Sequence, residues 1–250
     1  MNTKYENPIH LILNCSDALL QVVLGTREHL LWSQNIRTPG QAMKYIAPTI
    51  KSGLDFLGIR PDQLSAVSCV SGPGSFTGVR MVYAHAHGLS LAADIPITSI
   101  SSFDALIHGP GRLLQGHAWI FIHSRRGQVY ARGYSLPVMQ PLSQPANMNI
   151  TDIDRLTDPA SEKTTCAFGS GVRRNPDRFT SRHWTILSPS WDVPSPQSLL
   201  SLSFNEDSFS LDPYPQYLRP SDAEESLSAK QSKQPDAGCA HNPIKKNAAP

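Results

Sequence analysis

At 250 residues the chain is long enough for one large domain or two lobes around a sizeable core. Its 22 basic and 20 acidic side chains leave a formal charge of +2, so composition gives no case for a nucleic-acid or membrane-surface protein. Cys15, Cys69, Cys166 and Cys239 form no C-x-x-C pair, which excludes a disulfide framework or a zinc site of the usual spacing and fits a reducing compartment. No segment reaches the roughly 20 apolar residues of a membrane span, and the first residues lack a signal-peptide pattern; a cytoplasmic protein is expected.

In chain order, residues 10–15 and 19–24 are short apolar runs broken by Ser16-Asp17, which predicts a strand hairpin, with a third strand near 30–36. Residues 41–57 carry helical spacing, with Ala42, Tyr45, Ile46, Thr49, Ile50 and Leu54 on one side; Pro48 predicts a kink or an early stop. After the loop at Pro61-Asp62 comes a strand, 66–70, a glycine loop, and a second helix, 79–93, with the stripe Val79, Val82, Ala86, Leu89 and Ala93. Residues 95–100 form a closing strand. A short helix is expected from Phe103, then a second hairpin, 118–122 and 128–134, around the turn 124–127. Residues 136–160 offer little beyond one exposed strand. A strand at 166–168 runs into Gly169-Ser170-Gly171, followed by an edge strand at 184–187, a short helix at 195–204 and an extended segment at 214–220. The remainder, 221–250, is rich in Ser, Lys, Gln, Asp and Ala and reads as a disordered tail. The order hairpin, helix, strand, helix, strand, followed by a weaker echo, predicts two similar α/β lobes in tandem, 1–102 and 103–220.

The most informative stretch is Gly72-Pro73-Gly74-Ser75-Phe76-Thr77-Gly78-Val79-Arg80. Strand, tight loop and helix start meet here, the glycines permit close backbone approach, and Ser75 or Thr77 can cap the helix. Such a loop can hold an anion or brace a neighbouring loop. It is not a Walker A loop, because Phe76 stands where Lys is required. It is not a G-x-G-x-x-G fingerprint, because three residues separate Gly74 from Gly78. The G-x-S-x-G elbow fails at Thr77.

This loop closely resembles the signature of the TsaB (YeaZ) family, which supports synthesis of threonylcarbamoyladenosine in tRNA. Residues 11–24 are similar to that family's first hairpin, 120–130 to its second, and 215–219 to its closing P-x-Y-L-R. The resemblance implies a two-lobed fold of the actin, Hsp70 and sugar-kinase type, in which active members bind ATP between the lobes and use hairpin-tip carboxylates for metal and water. The family's usual Asp residues are replaced here by Asn14 and His123, and its usual Glu by Gln128. An Asn supplies neither a base nor charge for Mg²⁺.

The resemblance therefore implies a non-catalytic subunit with no cofactor or metal of its own. It would bind a TsaD-like catalytic partner, reach a TsaE-like ATPase through the complex and touch tRNA only indirectly; a homodimer is an open alternative. A different class of reading is a self-sufficient ATP-dependent phosphotransferase, hydrolase or glycoprotease. The family's two N-terminal-lobe helices supply the partner contact, which makes Tyr45, Val82, Tyr83, Ala86, His87 and Ser90 the candidate contact residues. Since the stripe through Val82 and Ala86 reads first as core, Tyr83, His87 and Ser90 form the expected outward set. Larger side chains at Val82, Tyr83, His85 and His87 stand where relatives are smaller. His85 and His87 lie on different helix faces and cannot share a metal. Arg125 and Arg126 read as a solvated turn, Arg173, Arg174, Arg178 and Arg182 as a basic surface, and Cys15 has no base beside it in sequence.

Overall fold

A computed structural model describes residues 7–38, 40–156, 165–180, 184–205 and 213–220. The expected tail, 221–250, and Arg182 lie outside the described residues. Residues up to Leu218 form one compact unit; of the second, Arg219–Pro250, only residues 219 and 220 are described.

The first sheet begins with the antiparallel strands β1 (His10–Asn14), β2 (Leu19–Gly25) and β3 (Leu30–Arg37). After α1 (Ala42–Leu57), β4 (Ala66–Gly72) pairs parallel to β1; after α2 (Phe76–Ala93), β5 (Ile97–Ser101) pairs parallel to β4. The order is β3-β2-β1-β4-β5. Strands β1 and β4 are buried throughout, which explains why they read as near-continuous apolar runs without alternation. Leu11 and Leu13 pack with Ile46, Ile50, Val79 and Val82 under α1 and α2. Ile12, between them in sequence, points to the other face and packs with Val70, Ile100, Leu199 and Leu200.

The second sheet repeats this plan. Strands β6 (Gly116–Arg125) and β7 (Gln128–Leu136) form the hairpin, and the third position is divided between β8 (Gln140–Pro141) and β9 (Ala146–Asn149), which pair with opposite ends of β7. Strand β10 (Thr165–Phe168) pairs parallel to β6, and β11 (Thr185–Ile186) parallel to β10, so the order β11-β10-β6-β7-β8 mirrors the first sheet. The helix after β10, α4 (Ser170–Arg174), has 5 residues where α2 has 18. Two mixed sheets of one topology give the two α/β lobes that the order of elements predicts.

The expected cap is found at Ser75, so α2 starts at Phe76. Two local expectations are corrected. Helix α1 does not stop early at Pro48 but continues to Leu57; Pro48 sits on the exposed side together with Lys44, so the carbonyl that loses its amide partner faces water. The helix expected at 195–204, α5 (Pro196–Ser203), does not join the second sheet. Its Leu199 and Leu200 pack on the first, beside Ala105 of α3 (Ser102–Ile107).

Candidate functional site: glycine loop and cleft

The glycine loop braces the first hairpin. Ser75 caps α2 by accepting from the Gly78 amide at 3.2 Å, and its own amide donates to the Ser16 carbonyl at 2.7 Å. The Val79 amide returns to the Ser75 carbonyl at 2.9 Å. A Cβ on Gly74 would stand 2.1 Å from the Ser16 carbonyl oxygen, and one on Gly78 would stand 1.9 Å from that of Cys15. These glycines are spent on contact with the hairpin turn, and three of the loop amides that an anion would need are committed inside the protein.

The loop also meets the end of the folded chain. The Gln216 amide donates to the Ser71 carbonyl at 2.8 Å. Arg80 lies 3.7 Å over the Phe76 ring and donates from Nε to the Tyr217 hydroxyl at 2.8 Å, while Phe76 and Tyr217 pack 4.9 Å apart. Two motifs 137 residues apart in sequence thus close on one guanidinium.

Between the lobes lies a cleft of about 320 Å³, lined by Asn14, Gln21, Ser102, Arg174 and Asp192 among others. Asn14 ends β1 with its Nδ2 donating to Gln21 Oε1 at 2.7 Å and its Oδ1 accepting from the Ser16 amide at 2.9 Å. Gln21 Nε2 in turn donates to Asn35 Oδ1 and the Pro194 carbonyl. His123, at the end of β6, is held below its ordinary pKa by burial and then by Arg174, with Asp17 opposing, so it is neutral at pH 7. Asp192 is tied to Arg173 at 2.6 Å and accepts from the Gly169 amide at 2.7 Å. A magnesium-bound nucleotide needs hard anionic oxygens. Here a carboxamide and a neutral imidazole hold the hairpin ends, Asp192 is already paired with Arg173, and Asp17 is the other carboxylate of the lining; a single exposed carboxylate does not make the anionic oxygen set that group needs. Among the described residues no cluster of three or more His, Cys, Asp or Glu could hold a metal. Burial raises the Cys15 thiol to about 11, so it is inert at neutral pH.

Gln21 and Asp192 escaped the sequence reading. A glutamine interrupting the apolar run of β2 was a usable signal, because a polar side chain there had to be buried and partnered. Asp192, in a single turn of 3₁₀ helix, carried none.

The candidate contact residues do not form one surface. Val82 and Ala86 are fully buried, as the stripe suggests. Tyr83, expected to face outward, is 3% exposed, with its hydroxyl 2.6 Å from Ser99 Oγ; burial pushes its pKa up. Ser90 is half-buried and donates to the Ile95 carbonyl. Tyr45 and His87 remain exposed, on different helices. The exposed large apolar side chains of these two helices are Met43, Tyr45 and Phe56 of α1 and Leu91 of α2, and they do not share one face. Between the helices runs a separate groove of about 410 Å³, lined by Ala47, Ile50, Leu54, His85 and Leu89.

Duplicated sheets, a cleft between them and a glycine loop opening the long helix define a two-lobed α/β protein. A family model described as TsaD: tRNA N6-adenosine threonylcarbamoyltransferase matches residues 41–175, more than half of the chain. The chain is 38% identical over 87 residues to the tRNA threonylcarbamoyladenosine biosynthesis protein TsaB of Bacillus subtilis, a match covering 35% of this chain and 38% of the relative. It is 34% identical over 117 residues to the protein of that name from Haemophilus influenzae, covering 46% and 47%. The chain thus matches about half or less of the length of these two relatives. YeaZ of Pseudomonas aeruginosa superposes with a TM-score of 0.66 at 25% identity, over 78% of this chain and 90% of that one. A second Pseudomonas aeruginosa structure, similar to the peptidase YeaZ, gives 0.69 at 24% identity over 85% and 100%. The chain belongs to the family that this model describes, and it is similar to the TsaB (YeaZ) proteins.

Proposed function

We propose that the chain is a non-catalytic subunit of the machinery that makes threonylcarbamoyladenosine in tRNA, docking on a TsaD-like catalytic partner through α1 and α2. The observation that carries this reading is the largely apolar groove open between those helices, lined by Ala47, Ile50, Leu54 and Leu89. A mostly apolar groove left open to solvent between two helices suits a partner side chain that covers it. The names of the relatives supply the pathway, and the amide-based end of the cleft supports a role in which the acid chemistry belongs to the partner.

Co-expression with the TsaD homologue of the same cell, followed by size exclusion, tests it. A stable heterodimer is expected, and Ala47→Glu, an exposed position lining the groove, should break it while the variant alone still melts cooperatively. Two separate peaks for the parent pair, or magnesium-dependent ATP turnover by the isolated chain, would overturn the reading.

A further inference from the structure

The cleft that does not suit a magnesium nucleotide is rich in hydrogen-bond donors. Three arginines, Arg37, Arg173 and Arg174, line it against two aspartates, Asp17 and Asp192. Arg173 is consumed by Asp192 and by the Leu187 carbonyl. Arg37, at the end of β3, and Arg174, at the end of α4, are exposed and have no hydrogen-bond or ion-pair partner among the described residues. Asp17, at the mouth, already accepts from the Ala18 amide. Deeper in, Ser102 is 2% exposed and its hydroxyl has no hydrogen-bond partner among the described residues. A buried hydroxyl is seldom left so, and this one borders a space large enough to hold what would satisfy it. Ser170 Oγ accepts from the His123 amide, and its proton remains available. Leu106, Ile122 and Val193 supply an apolar wall.

We propose that this cleft binds a small phosphomonoester without any divalent cation. Arg37 and Arg174 neutralise the phosphate in place of a metal, Ser102 donates to it, and the apolar wall holds the organic part. Guanidinium groups suit this task because they stay charged and present paired donors to phosphate oxygens. The volume lies at the small end of ligand sites, which favours a single phosphate on a compact body over a triphosphate. The site goes beyond the subunit role proposed above and does not depend on it.

Titration calorimetry of the full chain tests the proposal with two probes, phenyl phosphate and inorganic phosphate, each in EDTA and in magnesium. The expected result is saturable binding of phenyl phosphate in EDTA, tighter than inorganic phosphate and not strengthened by magnesium. Arg174→Ala should weaken it about tenfold and the Arg37→Ala/Arg174→Ala pair should abolish it, both arginines being exposed and therefore removable without loss of the fold. Arg126→Ala, at the hairpin tip outside the cleft, should leave it unchanged. Absence of saturable heat for phenyl phosphate, a requirement for magnesium, unaltered binding by the double variant, or equal weakening by Arg126→Ala would each overturn it.

Discussion

The Cys15 carbonyl oxygen stands 1.9 Å from the point that a Cβ on Gly78 would occupy. That approach joins the end of β1 to the first turn of α2, and it makes Gly78 a contact residue more than a flexible one. Gly78→Ala forces backbone apart in a packed region and should cost on the order of 3 kcal/mol in urea unfolding. Gly88, later in the same helix, has nothing within 4 Å of its Cβ position and should gain up to about 1 kcal/mol on the same change, because alanine favours helix. Equal and small effects at both positions would show that the loop does not rest on the hairpin.

Asn14 is locked from both sides, and this yields a second prediction. Its Oδ1 accepts from the Ser16 amide and its Nδ2 donates to Gln21 Oε1. In Asn14→Asp the introduced oxygen confronts Gln21 Oε1. Gln21 can turn its amide, but its own oxygen then faces the Pro194 carbonyl, which cannot turn into a donor. A buried carboxylate with a broken network should cost about 2 kcal/mol at pH 7 relative to the parent. The cost should shrink near pH 4, where the protonated acid can donate to Gln21. A variant as stable as the parent at pH 7, or one whose deficit grows on acidification, would contradict this account.

The parts of the fold that were legible in the sequence were those written in local periodicity. The apolar runs of β1, β2, β4 and β6, and the stripe of α2, sit where the sequence places them because burial on both sheet faces leaves an unbroken apolar run and burial of one helix face leaves a stripe. Helix α5 is legible as an element inside the range of the second lobe, but its packing on the first sheet is not, since its few apolar side chains say that it packs and not on what. Tyr83 fails for the same reason: its place on the helical wheel cannot reveal that Ser99 of β5 waits beside its hydroxyl. At the site, the loop was visible as a motif, and the equivalence of Asn14 and His123 was visible only through resemblance to a family. The meeting of Arg80 with Tyr217 and the pairing of Asp192 with Arg173 join residues far apart in the chain, and no short-range pattern encodes them.

His10 supplies a pH-dependent prediction. The ring is 5% exposed on β1, stacked 3.7 Å from Phe204, with Nδ1 3.3 Å from Ser203 Oγ. Ser203 gives its proton to the Leu200 carbonyl, so it accepts from His10, which fixes a neutral ring protonated at Nδ1. Burial, with Arg27 adding to it and Ser203 opposing, lowers the pKa from 6.5 to about 4. Below 6.5 the unfolded chain takes up a proton that the folded chain refuses. Stability from this group is therefore complete above 6.5 and is lost as the pH falls towards about 4, amounting to about 2 to 3 kcal/mol. His108 and His123, also held low by burial, push the same way. His10→Phe keeps a ring against Phe204 and leaves Ser203 still bonded to Leu200, so it isolates the titration. Urea unfolding of parent and variant from pH 7.5 to 4.5 should show the variant losing less stability, with the gap opening below 6.5. Parallel curves over that interval would mean that His10 protonates as readily in the folded chain as in the unfolded one.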